Sequence, residues 1–181
     1  KKYTHLLFID ADIQWTPDAI EKLVKTKKSV IGAAYPKKEY RWEKLKELVN
    51  DSTNNLEDIK SCLVNYVVRI SQNKIKNGLV PVDYLGTGFL MISRNVIEKM
   101  CKKFPQTKYF DRDGDISNEE NKWLYSLFDT EIRKVKMNQS EEECYLSEDY
   151  LFCERVKEID EEVYLHPEIA LTHIGPHYYQ G

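Results

Sequence analysis

The most constraining feature of this chain is a short, almost wholly apolar run, His5-Leu6-Leu7-Phe8-Ile9, that stops abruptly at Asp10-Ala11-Asp12. An apolar run of that length without polar alternation suits a strand buried on both faces. Such a strand needs helices to cover it, and a helix signal follows at once. Thr16-Pro17-Asp18 can open a helix: Thr16 can cap it, Pro17 suits its first position, and Asp18 meets the positive end of the dipole. Ile20, Leu23 and Val24 supply its apolar stripe. Ser29 to Ala34 (S-V-I-G-A-A) then reads as a second buried strand, ended by Tyr35-Pro36.

Further along, Lys37 to Lys60 is strongly polar, with a short helix expected near Glu43 to Val49 and a mobile loop over Asn50 to Asn55. Leu63 to Ile70 and Leu79 to Leu85 flank Asn77-Gly78, a hairpin-type turn. Phe89 to Ile92 reads as a strand, and Ser93 can cap a helix running to about Lys103. Ser147 can cap another through Val156, and Glu162 to Leu165 and Ile169 to Thr172 look like closing strands. The order β-α-β followed by a hairpin predicts an α/β sandwich, its sheet parallel at first and mixed later.

At 181 residues the chain reads as a single domain, 1–181. A domain of this size hides about 70% of its unfolded surface and needs no metal or disulfide staple. Lys and Arg number 27 and Asp and Glu 30, a formal charge of -3, which argues against a general nucleic-acid binder. No apolar run approaches the roughly 18 residues of a membrane span, and the start is not a signal peptide. Cys62, Cys101, Cys144 and Cys153 are scattered without a C-x-x-C, as expected of reduced thiols in a cytoplasmic compartment.

Four constellations could carry chemistry. Asp10 and Asp12 sit two residues apart at a strand exit, where open α/β sheets bind ligands. Such a pair can converge on a hard cation, Mg²⁺ or Mn²⁺, that bridges carboxylates to phosphates; equally, the pair can simply cap a turn. Glu148-Asp149 at a helix start can favour the dipole, or a half-desolvated carboxylate there can act as a general base. His173, in Leu171-Thr172-His173-Ile174-Gly175, can offer an imidazole nitrogen to a metal or serve as a structural histidine. Gly86 and Gly88, around Thr87, mark either a bulge or a place where a ligand lies against the backbone. Asp111-Arg112-Asp113-Gly114-Asp115 imitates a calcium loop but fails its template: Ile116 holds the sixth place and Lys122 the twelfth, where glycine and an acid are needed.

Taken in order, these pieces resemble the GT-A glycosyltransferases, nucleotide-sugar-dependent transferases with a D-x-D motif, and among them the smaller microbial and viral enzymes. The matching stretches are T-H-L-L-F-I-D-A-D-I (Thr4 to Ile13), V-I-G-A-A-Y-P (Val30 to Pro36), V-D-Y-L-G-T-G-F-L-M-I (Val82 to Ile92), S-E-D-Y-L-F-C-E-R-V (Ser147 to Val156) and L-T-H-I-G (Leu171 to Gly175). The resemblance implies a GT-A-like three-layer sandwich with a mixed, mainly parallel central sheet. It implies that Asp12 binds Mn²⁺ or Mg²⁺, that Asp10 contacts the donor ribose or the metal shell, and that His173 completes the protein ligands. It implies a base at Asp149, with Glu148 the fallback. Gly86, Thr87 and Gly88 would line the sugar pocket, and Trp15 could stack on a sugar face or belong to the core. GT-A domains usually open with a β-α-β-α portion that binds the nucleotide base. Here the D-x-D strand starts at residue 5, so the chain is expected to be a fragment lacking that portion, or to have a disordered or cleaved segment omitted.

The function so implied is transfer of a sugar from a UDP- or GDP-sugar to a carbohydrate or other hydroxyl acceptor. Two alternatives stand beside it: a non-catalytic, degenerate GT-A module for sugar binding or assembly, and a nucleotidyltransferase-like enzyme, which also uses paired carboxylates but would show a Gly-rich basic phosphate loop.

Overall fold

The computed structural model describes residues 3–50, 55–70, 74–111, 117, 119–137 and 140–176. In chain order its elements are β1 (His5–Ile9), β2 (Ile13–Gln14), α1 (Asp18–Lys25), β3 (Val30–Gly32), β4 (Pro36–Tyr40), α2 (Leu45–Asn50), α3 (Leu56–Cys62), β5 (Val64–Tyr66), β6 (Val68–Arg69), β7 (Val80–Val82), β8 (Tyr84–Leu85), β9 (Phe89–Ser93), α4 (Arg94–Lys103), β10 (Glu131–Met137), β11 (Ser140–Leu146), α5 (Glu148–Lys157), β12 (Val163–Leu165) and β13 (Thr172–His173). Most of the expected loop at 50–55, and the acidic stretch at 112–116, lie outside the described residues.

Five strands form the central sheet in the order β1-β9-β3-β12-β7. Only β3 and β12 pair in parallel; β1–β9, β9–β3 and β12–β7 are antiparallel. The sheet is therefore mainly antiparallel, which corrects the mainly parallel sheet expected from the sequence. β1 and β3 do run the same way, but β9 lies between them and pairs with both. A β-α-β order suggests direct neighbours. The strand that separates them arrives from much later in the chain, a long-range pairing that no local pattern announces.

Alternation along the strands sends side chains to two separate cores. Val30, Leu90, Ile92 and Val163 pack with Val96 and Met100 of α4 and with Phe152 and Val156 of α5. Their neighbours Ile31, Phe89, Met91 and Tyr164 pack with Ala19 and Leu23 of α1. The sheet's central strands are thus buried on both faces, as their uninterrupted apolar runs require. Leu23 is fully buried, whereas Val24, expected in the same stripe, is half exposed. Each fully buried large side chain contributes about 1.5–3 kcal/mol.

The Asn77-Gly78 turn forms as its sequence predicts. Both residues have positive φ (52° and 78°), and Lys76 and Leu79 exchange backbone hydrogen bonds of 2.8 and 3.1 Å across it. The predicted caps differ in detail. Ser93 and Ser147 stand at the starts of α4 and α5 with extended backbone, yet neither hydroxyl bonds a helix amide, and Ser93 Oγ is buried without a partner. Among the described residues no helix is long and apolar enough to cross a membrane, and all four cysteines are free.

One edge of the sheet gathers the ends that matter. The Asp10 amide, just past β1, donates to the Gly88 carbonyl at 3.0 Å, and the Ala33 amide, just past β3, donates to Phe89 O at 3.1 Å. The far end of the chain reaches the same place, because β13 pairs with β2 and the Ile174 amide donates to Asp12 O at 2.8 Å.

Candidate functional site

The β2–β13 pairing sets His173 opposite Ile13 and so brings it beside Asp12. His173 Nε2 lies 3.5 Å from Asp12 Oδ2. The other ring nitrogen, Nδ1, lies 2.8 Å from the Pro36 carbonyl. A carbonyl can only accept, so Nδ1 carries a proton, and Nε2 is the nitrogen left facing the carboxylate. That is the orientation a backbone carbonyl imposes on metal-binding histidines. Two donor atoms 3.5 Å apart are also close to the separation of about 3 Å between adjacent ligands of a small divalent ion. Asp12 and His173 thus fit a cation. Among the described residues no group of three or more His, Cys, Asp or Glu is arranged to hold one. The remainder of its shell would come from substrate oxygens and water, as is usual for Mg²⁺.

A third group enters that the sequence did not announce. Lys38 on β4 places its Nζ 2.5 Å from Asp12 Oδ2, the oxygen that His173 also faces. Its ammonium holds the Asp12 carboxyl below its ordinary range, and His173 acts in the same direction.

Behind this pair stands Tyr35, buried just past β3. Its ring meets His173 edge-on, with centroids 5.4 Å apart. It also explains both glycines of the Gly86-Thr87-Gly88 element. An ideal Cβ at Gly86 would lie 2.4 Å from the Tyr35 hydroxyl, and one at Gly88 would lie 2.7 Å from two of its ring carbons and 2.9 Å from Asp10 Oδ2. The backbone is bare there because Tyr35 lies against it. The close approach is by a side chain of this protein, while Thr87 remains partly exposed. Burial pushes the Tyr35 hydroxyl up to about 12, with Asp149, Asp10 and Asp12 adding to the effect. The hydroxyl is neutral at any ordinary pH.

Asp149 opens α5, half-buried, and Thr87 Oγ1 donates to its Oδ1 at 2.7 Å. Desolvation raises its carboxyl above the ordinary range, Thr87 pulls it down, and Glu148 and Asp10 push it up again. Glu148 itself is exposed. The fold therefore gathers two linked groups near Tyr35: Asp12 with His173 and Lys38, and Asp149 with Thr87, while Asp10 lies against the Gly88 position. A carboxylate whose proton affinity is raised by burial and by neighbouring acids makes Asp149 a candidate functional group.

Trp15 is partly buried, in line with the core alternative. Its ring packs against Phe89, with centroids 5.9 Å apart, at the edge of the α1 core. Among the described residues, rings open to solvent near the cluster include Tyr40 and Trp42, with centroids 5.1 Å apart. They line a cleft of about 710 Å³ beside His173, together with Lys37, Lys38, Leu56 and Leu171. Sequence reasoning missed Tyr35 and Lys38. Tyr35 had a signal, since it closes the V-I-G-A-A-Y-P stretch; Lys38 sits in a run of charged residues with nothing to single it out.

No protein-family model matches this chain, and no curated protein matches it. Among solved structures it is similar to one described as the crystal structure of A197 from STIV, at 15% identity and a TM-score of 0.44. The alignment covers 96% of this chain and 59% of that one, so this chain spans about 59% of that chain's length. A likeness so distant carries no weight for function, which rests on the geometry of the cluster itself.

Proposed function

We propose that this chain is the catalytic core of a metal-dependent glycosyltransferase with a GT-A-like arrangement, moving a sugar from a UDP- or GDP-sugar to a carbohydrate or other hydroxyl acceptor. The observation that carries this reading is the convergence of Asp12 and His173 from distant parts of the chain, with Asp149 near enough to Tyr35 to act on its hydroxyl. In the reaction the bond between the anomeric carbon and the diphosphate oxygen breaks, and its electron pair leaves with the diphosphate. A new bond forms from the acceptor oxygen to that carbon, and the acceptor proton passes to a base. A bound Mn²⁺ or Mg²⁺ would neutralise the leaving diphosphate.

This chain's own residues account for the rest. Asp12 and His173 would hold the cation, and Asp10 would lie beside the donor ribose or the metal shell. Asp149 would take the acceptor proton in an inverting transfer. Thr87 orients that carboxylate, and Tyr35 fills the space against Gly86 and Gly88. Trp15, partly buried against Phe89, would support the wall of the site. Four free cysteines suit a reducing, cytoplasmic compartment.

Calorimetric titration of Mn²⁺ with UDP and with GDP tests the reading. Nucleotide binding should depend on Mn²⁺, and Asp12→Ala and His173→Ala should each weaken it at least tenfold, about the loss of one ligand contact. Binding unchanged in both variants would refute the assignment. One observation favours a second reading, a non-catalytic sugar-binding module: an ammonium resting on Asp12 can stand permanently where a metal would. In that case sugar binds but Mn²⁺ does not.

A further inference from the structure

We propose that Lys38 is a built-in competitor for the cation position at Asp12, its ammonium holding the carboxylate until a divalent ion displaces it. This rests on reading Asp12 and His173 as the ligands of that ion. Three features of the fold point to exchange rather than to a fixed ion pair.

The first is that both partners address one oxygen. Lys38 Nζ is 2.5 Å and His173 Nε2 is 3.5 Å from Asp12 Oδ2. A cation shared by Asp12 and His173 must use that oxygen, at about 2.0–2.1 Å for Mg²⁺. A divalent ion and an ammonium on the same oxygen would repel each other strongly, so one excludes the other. The second feature is that the fold delivers Lys38 to this place. It lies on β4 two residues beyond Pro36, whose carbonyl pins His173. Its stem crosses Gly175, where an ideal Cβ would come within 2.7 Å of Lys38 Cδ. The glycine that follows His173 is thus the bed on which Lys38 lies.

The third feature is that nothing traps the ammonium. The Lys38 side chain is 38% exposed and that of Asp12 is 44% exposed. The cleft of about 710 Å³ that Lys38 lines can receive it once it leaves. Without metal, Lys38 keeps Asp12 neutralised and aligned with His173. As divalent ion rises, the ammonium gives way, and the ligands it leaves are already in register.

The test uses Mn²⁺ alone and follows free Mn²⁺ by electron paramagnetic resonance. Lys38→Met should bind Mn²⁺ about fivefold more tightly than the unmodified chain, the upper end of what an exposed ion pair is worth. Lys38→Arg should stay close to the unmodified chain. Gly175→Ala, which lifts the Lys38 stem, should tighten binding to an intermediate degree. Lys37→Met removes the same charge without a contact to Asp12 and should change affinity less than about twofold. Binding to Lys38→Met but not to the unmodified chain would overturn exchange and leave Lys38 as a fixed ion pair, the state of the non-catalytic module. The proposal alone is overturned if Lys38→Met binds no more tightly than the unmodified chain, or no more tightly than Lys37→Met, while Asp12→Asn loses binding. If neither the unmodified chain nor Lys38→Met binds Mn²⁺, or if Asp12→Asn binds as well as both, the metal reading falls too.

Discussion

Asp149→Asn is expected to slow sugar transfer by a factor of about 10²–10⁴, the usual contribution of a general base, while leaving Mn²⁺-dependent nucleotide binding intact. The substitution keeps the shape of the side chain and its contact with Thr87, so the loss isolates proton transfer. The pH profile carries the same information. Burial raises the Asp149 carboxyl above its ordinary 3.8, so the base is ionised only above that raised value. Transfer should therefore decline as pH falls through a point above the ordinary aspartate range. Thr87→Val removes the hydroxyl that favours the ionised form at 2.7 Å, and should move that acidic limb to higher pH. Stability runs the opposite way. The folded chain holds this proton more tightly than the unfolded chain does, so Asp149 favours folding most at low pH. That advantage fades as pH rises from 3.8 through the raised folded value. Asp149→Asn should consequently be no less stable than the unmodified chain at neutral pH. Full turnover by Asp149→Asn, or an acidic limb unmoved in Thr87→Val, would remove Asp149 from the reaction.

What could be read from the chain beforehand divides along physical lines. Features fixed by neighbouring residues were visible: Asn77-Gly78 dictates its turn because both residues accept positive φ, and the run from His5 to Ile9 forms a strand, although it takes the edge of the sheet with Leu6 and Ile9 exposed and is not buried on both faces as its apolar run suggested. The exit of that strand into Asp10-Ala11-Asp12 was visible for the same reason. Features fixed by long-range pairing were not. Nothing around Phe89 says that β9 will slide between β1 and β3, and this one insertion turns the expected parallel sheet into a mainly antiparallel one. The β10–β11 hairpin was hidden because its strands are largely charged. Pairs such as Lys134 opposite Glu143 make sense only once the register is known. β4 was hidden because it begins at a proline and continues Lys37-Lys38-Glu39, a composition tolerated in a short two-stranded ribbon. Missing β4 meant missing Lys38. Tyr35 was missed for a subtler reason: the bare backbone at Gly86 and Gly88 was visible, but a protein side chain and a ligand leave the same trace in sequence.

Gly32→Ala should cost about 3 kcal/mol of stability and lower the melting temperature by roughly 6–12 °C. Gly32 lies in β3 between Leu90 of β9 and Leu165 of β12. An ideal Cβ there would stand 2.3 Å from Phe89 O, 3.0 Å from Leu85 Cδ2 and 3.2 Å from Leu90 Cα. Two of these are backbone atoms inside a sheet, and Leu85 is fully buried, so no flexible side chain can yield. The oxygen in the way is also the acceptor for the Ala33 amide at 3.1 Å, and Gly32 O itself accepts from the His166 amide at 2.9 Å. Relief thus requires β3 and β9 to part at the edge where Asp10 meets Gly88, and Mn²⁺ binding should weaken together with the fold. Gly78→Ala makes the useful contrast. That position has open space around it but a φ of +78°, so the cost is backbone strain alone, about 1–2 kcal/mol, with the site untouched. Thermal unfolding of both variants, with Mn²⁺ affinity measured alongside, separates the two causes. A Gly32→Ala chain that melts with Gly78→Ala and binds Mn²⁺ normally would mean that β3 and β9 are not packed as closely as this sheet requires.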